Sequence, residues 1–248
     1  MVADLLLVGE EFADTPAAGT VSPALTQTYT DATGALREQR FCDALPVLEY
    51  FTGLSAAGAG EVAGTANADR PRALLECGVG HFRGGRPTES IEPLTELAEA
   101  YPNDPGTPQA RSAVIAARVW EKNGRAVPLP APLGDDSPGS IRVVYFNDSP
   151  YEVTVRVAGA AAHEFVLPAC TGCPIYATLE EPSCKWCSRS PSHTLNLRPG
   201  EYFDAAFAEV RFEETGDEAR TLEPRYRYWS CYYVTSPLGA TGLRPIGR

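Results

Sequence analysis

Two pairs of cysteines in the C-terminal half have a spacing that metal sites and disulfide frameworks share. Cys170 and Cys173 form one C-x-x-C pair, and Cys184 and Cys187 form the other. Each pair can place two thiolates on one tetrahedral ion, so the four sulfurs together would make a closed structural zinc site. The same cysteines can instead form disulfides in an oxidising compartment. Spacing leaves both alternatives open, and one structural zinc ion is the only cofactor that we expect.

The C-x-x-C pairs also raise the alternative of a thiol redox enzyme or a cysteine-dependent enzyme. Thioredoxin-like enzymes place this motif between a strand and a helix, and no helical pattern follows Cys173 or Cys187. The sequence has no His-Glu-x-x-His, Gly-x-Ser-x-Gly, P-loop or dinucleotide motif. We therefore expect a protein without catalytic or cofactor-binding residues, and keep the enzyme as the alternative.

Composition narrows the classes of partner. The net charge is −11, and Lys122 and Lys185 are the only lysines. A surface that follows nucleic-acid phosphates is therefore not expected. The apolar run at 5–8 is far too short to cross a bilayer, so we expect no direct membrane insertion. Disulfides would indicate an exported or cell-envelope protein and zinc a cytoplasmic one, and a removed leader or anchor stays an open alternative.

The first half of the chain has a helical pattern. Residues 1–22 form a lead-in, and apolar residues then recur at helical spacing across 23–123. The clearest helical pattern covers 69–103. Cys77-Gly78 lies in the first of two helical segments, Gly85 lies at the turn between them, and Pro102 follows the second. This stretch resembles one tetratricopeptide (TPR) repeat, with a more degenerate copy before it. The resemblance implies helical hairpins that present a groove to a protein or peptide partner.

The TPR resemblance also places two further cysteines. Cys42 falls on the second helix of the first repeat, and Cys77 falls on the first helix of the next. Those helices pack together in the family, so the resemblance implies that the two sulfurs can form a disulfide. The alternative is two small buried apolar side chains.

The second half of the chain changes to a period of two. A Pro/Gly-rich segment at 124–140 is expected as a linker. Residues 141–248 then alternate polar and apolar residues over seven or eight short strands, and the first two strands, 141–146 and 151–157, are expected to pair as a hairpin. The expected fold class is therefore α+β in two domains: TPR-like helical hairpins, then an antiparallel β-sandwich that carries the cysteine pairs.

An aromatic strand near the end offers a second binding surface. Tyr226, Tyr228 and Tyr232 alternate with other residues and would point to one face of a sheet. Exposed, such a stripe would stack on carbohydrate or contact a protein partner. Buried, it would belong to the core. The leading hypothesis is thus a non-catalytic interaction or scaffolding protein, with a carbohydrate-binding β-module as a further alternative.

Overall fold

The computed structural model describes residues 2–12, 14–55, 58–132, 141–176, 190–208, 219–223 and 228–233. Over these residues the protein is a mixed α+β structure, with seven helices in the first half and two β-sheets in the second. This confirms the fold class at the level of α+β. The chain divides into two compact units, a helical unit of Met1–His81 and Glu92–Thr107 and a β unit of Phe82–Ile91 and Pro108–Arg248.

The helices follow the apolar spacing of the sequence. In chain order they are α1 Val2–Glu11, α2 Val21–Ala32, α3 Gly34–Arg37, α4 Phe41–Thr52, α5 Gly60–Arg83, α6 Pro87–Ala100 and α7 Thr107–Asn123, with a 3-10 turn at Ala18–Thr20. In α4, Ala44, Leu48 and Phe51 are buried at intervals of three and four residues, which places them on one face. None of the described helices has the length and apolar character that crossing a membrane requires.

The segment at 1–22 is more ordered than a lead-in. It contains α1, whose Leu5, Leu6 and Val8 pack against the core of the helical unit. That core is built around Leu25, Leu48 and Phe51, with further residues from α5. The short apolar run therefore contributes to packing within this unit, a role that its length alone did not predict.

Gly78 lies where α5 and α6 of the helical unit approach each other closely. A Cβ atom added to Gly78 would lie 2.8 Å from Cδ2 of Leu94, which is closer than ordinary contact. Gly80, two residues further along α5, has nothing within 4 Å of the same position. Only Gly78 is therefore required for the packing of α5 against α6.

We expect Gly78→Ala to lower the free energy of unfolding by about 1–3 kcal/mol, because the added methyl group must displace Leu94. Gly80→Ala is the matched control, and it should raise stability by about 0.5–1 kcal/mol, because alanine favours a helix interior. Urea unfolding of the full chain, followed by circular dichroism, measures both. Equal gains in the two variants would contradict the close packing at Gly78.

The strands form two separate sheets. In chain order they are β1 Ile141–Asn147, β2 Val153–Ala158, β3 Ala162–Leu167, β4 Ser192–Leu197, β5 Gly200–Ala208, β6 Ala219–Leu222 and β7 Tyr228–Tyr232. One sheet has the order β4-β1-β7 and the other has the order β3-β2-β5-β6. β1 runs antiparallel to β4 but parallel to β7, so the pairing is not wholly antiparallel.

The expected hairpin between β1 and β2 is wrong, because these strands belong to different sheets. The residues between them do not form a tight turn. The side-chain amide of Asn147 instead donates to the backbone oxygens of Tyr151, at 2.7 Å, and of Pro168, at 2.8 Å. These bonds hold the chain as it leaves one sheet for the other, and Asn147 itself is fully buried.

Both sheets contribute to one apolar cluster. Its buried members include Val143 and Tyr145 of β1 and Val153 and Val155 of β2. A second cluster joins α7 to β5 through Ala116, Phe203 and their neighbours, and it also buries Val127. Part of the segment expected as a linker is therefore packed within the β unit, while residues 133–140 lie outside the described part of the chain.

Candidate functional site

A polar cavity of about 460 Å³ opens in the helical unit, and we call it the arginine cavity. This volume suits a side chain or a small ligand. Its walls come from α2, α3, α4, α5 and the turn before α4. The lining residues are Tyr29, Thr30, Thr33, Leu36, Arg37, Gln39, Phe41, Asp69 and Arg72.

The two guanidinium groups give the cavity its charge. Nη1 of Arg37 donates to the backbone oxygen of Thr30 at 2.8 Å, and the guanidinium of Arg72 lies 5.6 Å from the ring centroid of Phe41. Among the described residues, neither arginine has a carboxylate within ion-pair distance. Both cations therefore keep N–H donors for an anionic ligand, and the ring of Phe41 supplies an apolar wall.

The acidic residue of the cavity is already engaged. The hydroxyl of Tyr29 donates to Oδ2 of Asp69 at 2.6 Å. Burial, and then this bond to the carboxylate, raise the pKa of the Tyr29 hydroxyl above its ordinary value, so the group stays protonated as a donor. Asp69 thus offsets only part of the positive charge of Arg37 and Arg72.

Gln39 gives the cavity a strained backbone position. Its φ is 58°, and it is the one non-glycine residue with a positive φ among the described residues. Such a conformation is disfavoured for a side chain of this size and persists where the surroundings impose it. The strained turn connects Arg37 to Phe41 and therefore determines how these two lining residues lie relative to each other.

A second cluster of reactive side chains lies in the same unit, and we call it the Cys42 cluster: Cys42, Cys77 and His81. The sulfurs of Cys42 and Cys77 lie at disulfide-bonding geometry, with their Cα atoms 4.9 Å apart. Nε2 of His81 lies 3.3 Å from Sγ of Cys42. The pairing that the TPR resemblance implied is thus present in the geometry, and the histidine is an addition that the sequence did not predict.

In the β unit, the sulfurs of Cys170 and Cys173 are also close enough to form a disulfide. Cys184 and Cys187 lie outside the described residues. The four-cysteine zinc site and its disulfide alternative therefore stay predictions, and only the first C-x-x-C pair has a described position.

A buried acid lies beside this pair. The carboxylate of Asp148 accepts hydrogen bonds from the hydroxyls of Tyr176, at 2.5 Å, and of Ser190, at 3.3 Å. Asp148, Cys170 and Cys173 bring one potential ligand atom each within 4.8 Å of one another. Because both oxygens of Asp148 already accept hydrogen bonds, the network supports a structural role.

The exposed alternative for the tyrosine stripe is wrong at Tyr232, and Tyr226 lies outside the described residues. Tyr232 is only 1% exposed, and its hydroxyl donates to Oδ2 of Asp204 at 2.8 Å. Burial, together with the Asp204 charge, raises the pKa of Tyr232 well above its ordinary value. Tyr228 is half-buried, and its hydroxyl accepts the backbone N–H of Glu223 at 2.9 Å.

Strict alternation fails here because Ser230, Cys231 and Tyr232 of β7 are all buried, as is Tyr233, which follows it. The strand therefore has no exposed face at this point. An aromatic stripe of the kind that binds carbohydrate is not presented by the described residues of β7.

The β unit also contains a buried charge pair. Arg220 of β6 lies 3.9 Å from Asp204 of β5, and the two side chains are 13% and 7% exposed. Nη1 of Arg220 also donates to Oγ of Ser230 at 2.5 Å. The carboxylate, the guanidinium and the Tyr232 hydroxyl form one network inside the fold, which indicates stabilisation and not catalysis.

Sequence reasoning did not predict the arginine cavity. Arg37 and Arg72 belong to different helices, and no motif joins them. Composition does not single them out either, since 19 of the 21 lysines and arginines are arginines. Their convergence depends on how α3 and α5 pack, which local patterns do not encode.

No protein-family model, no curated protein and no solved structure matches this chain. The functional inference therefore depends on the chemistry of the described residues. Of the clusters above, the arginine cavity combines an open volume, uncompensated charge and an aromatic wall.

Proposed function

We propose that this chain is a non-catalytic interaction protein whose helical unit binds a carboxylate-bearing segment of a protein or peptide partner in the arginine cavity. The observation that carries the proposal is the pair Arg37 and Arg72, which line an open cavity without a carboxylate at ion-pair distance among the described residues. Guanidinium groups bind carboxylates through paired hydrogen bonds. The wall formed by Phe41 would contact the apolar part of the same segment.

The charge of the chain makes this cavity selective. A net charge of −11 disfavours the approach of acidic partners over most of the surface. Arg37 and Arg72 make the cavity an exception, so an acidic segment would be held where its charge is compensated. Binding of this type weakens as salt screens the charges.

We also propose the finer architecture that the sequence predicted. The close approach of α5 and α6 at Gly78 supports a TPR-like hairpin in the helical unit. The apolar cluster to which both sheets contribute supports an accessory β-sandwich in the β unit.

The proposal predicts which peptides the full chain selects from a random display library. Selected peptides should be enriched in Asp and Glu, because the one carboxylate that lines the cavity, Asp69, is bound to Tyr29 and lies beyond ion-pair distance of Arg37 and Arg72. Arg72→Ala should weaken their binding at least about tenfold, since a charge-assisted hydrogen bond contributes about 1.5–3 kcal/mol. Fluorescence polarisation with labelled peptides, at low and high salt, measures the change.

Arg40→Ala is the matched control. Arg40 lies close in sequence to the cavity, but Glu38 and Asp43 already neutralise it at 2.8 Å and 2.5 Å. Its removal should leave peptide affinity unchanged. Selection of peptides without acidic residues, or equal binding by Arg72→Ala and Arg40→Ala, would contradict the proposed function.

A further inference from the structure

The Cys42 cluster brings three metal-ligating side chains together. Cys77 and His81 both lie on α5 and are four residues apart, so their side chains share one face of the helix. Cys42 approaches from the first turn of α4. One ligand atom from each of the three residues lies within 4.8 Å of the other two.

The distances favour a tetrahedral ion once the two sulfurs are no longer bonded. Zinc–sulfur and zinc–nitrogen bonds of ordinary length require about 3.6 Å between a sulfur and a nitrogen ligand, and about 3.8 Å between two sulfurs. Nε2 of His81 is already 3.3 Å from Sγ of Cys42. The largest change is in the distance between the two sulfurs, which has to widen from bonding distance to about 3.8 Å, and side-chain rotation can supply it.

The surroundings also favour the ligand forms of these residues. Cys42 lies in the first turn of α4, where the helix dipole stabilises negative charge such as that of a metal-bound thiolate. The other ring nitrogen of His81, Nδ1, is buried, so Nε2 is the nitrogen that faces the sulfurs. Cys77 is buried as well, which shields the site from water on one side.

We propose that the Cys42 cluster is a redox-dependent site for a soft divalent cation such as Zn²⁺. In the oxidised protein, Cys42 and Cys77 form a disulfide and no ion binds. A dithiol reductant donates two electrons and two protons, which breaks the sulfur–sulfur bond, gives two thiols and converts the reductant to its own disulfide. Zn²⁺ then displaces both thiol protons and binds the two thiolates and Nε2 of His81, and water or a partner's side chain takes the fourth position.

The test uses the full chain, reduced anaerobically with a phosphine, which does not compete as a thiol ligand. Zinc binding is measured by competition with a chromophoric chelator, and Co²⁺ reports thiolate ligands by charge-transfer absorption. The reduced wild type should bind one equivalent more than reduced Cys42→Ser. His81→Ala should lower the affinity for that additional zinc ion at least about tenfold, since even the loss of a residue that only hydrogen-bonds to a metal ligand lowers metal affinity about 10- to 100-fold.

His163 is a histidine of β3, and His163→Ala is the matched control. This variant should bind Zn²⁺ with the wild-type affinity and stoichiometry. Reoxidation should release the additional equivalent. The comparison with Cys42→Ser separates this site from any ion held by the C-x-x-C pairs, which both proteins retain. Equal stoichiometry in reduced wild type and Cys42→Ser, or undiminished affinity in His81→Ala, would overturn the proposal.

Discussion

Replacing Cys42 and Cys77 by serine should lower the free energy of unfolding of the oxidised protein by about 4 kcal/mol. The two cysteines are 35 residues apart. In the chain-entropy model, a disulfide that closes a loop of this length lowers the conformational entropy of the unfolded chain, which stabilises the folded protein by about 4 kcal/mol. The bond also joins α4 to α5, which form two walls of the arginine cavity. Guanidinium unfolding of the full chain, with and without reductant, measures the effect.

The second cysteine pair provides the control for this expectation. Cys170 and Cys173 are only 3 residues apart, so the same model gives about 2 kcal/mol for their replacement by serine. Reductant should therefore destabilise the wild type more than it destabilises the Cys42→Ser/Cys77→Ser variant. An unchanged unfolding midpoint in that variant would show that the disulfide does not stabilise the fold.

Replacing Asp204 by alanine should destabilise the β unit by about 3–5 kcal/mol, because it removes the carboxylate from a buried charge pair with Arg220. The hydroxyl of Tyr232 would lose its acceptor in the same step. Thermal and chemical unfolding of the full chain, followed by near-ultraviolet circular dichroism, reports the packing of this tyrosine-rich core.

An ion pair of the same sheet with a partly exposed carboxylate is the matched control. Glu164 of β3 is 42% exposed and pairs with Arg156 of β2, whose guanidinium also lies 4.4 Å from the ring centroid of Phe207. Because water already solvates the Glu164 carboxylate, Glu164→Ala should cost no more than about 1 kcal/mol. The double variant Asp204→Leu/Arg220→Met should be more stable than Asp204→Ala, because it removes both buried charges. Equal losses for Asp204→Ala and Glu164→Ala would rule out a buried network at Asp204.

Elements set by local spacing were predictable from the sequence. Within the helical pattern expected across 23–123, α4 forms at Phe41–Thr52 because its apolar residues fall on one face. The alternation of Ile141, Val143 and Tyr145 predicted β1 and its buried side for the same reason. In both cases the spacing of apolar residues within a single element is enough to predict the element and its buried face.

The pairing of strands was not predictable in this way. β1 and β2 follow one another with a turn-like sequence between them, but buried hydrogen bonds from Asn147 carry the chain into another sheet. The alternating pattern left an exposed position open for Tyr232, yet Tyr232 and its neighbours on β7 are buried. Strand order and burial on both faces depend on contacts distant in sequence, which a period of two does not encode.

The candidate sites also contain a part that was predictable from the sequence and a part that was not. The disulfide pairing of Cys42 and Cys77 was accessible through the TPR resemblance, which placed the two cysteines on helices that pack together. The arginine cavity was not, since Arg37, Gln39 and Arg72 carry no shared motif and meet only when three segments pack. His81 joined the cysteines through its position one helical turn after Cys77.

The most direct measurement of carboxylate binding follows the arginine side chains themselves. In a nitrogen-15-labelled full chain, the Nε–H signals of Arg37, Arg40 and Arg72 can be assigned with single variants and then followed as a selected acidic peptide is added. Binding in the arginine cavity predicts that the Arg37 and Arg72 signals shift together and saturate, while the Arg40 signal stays constant. A peptide that binds while the Arg37 and Arg72 signals do not move would contradict the proposed function.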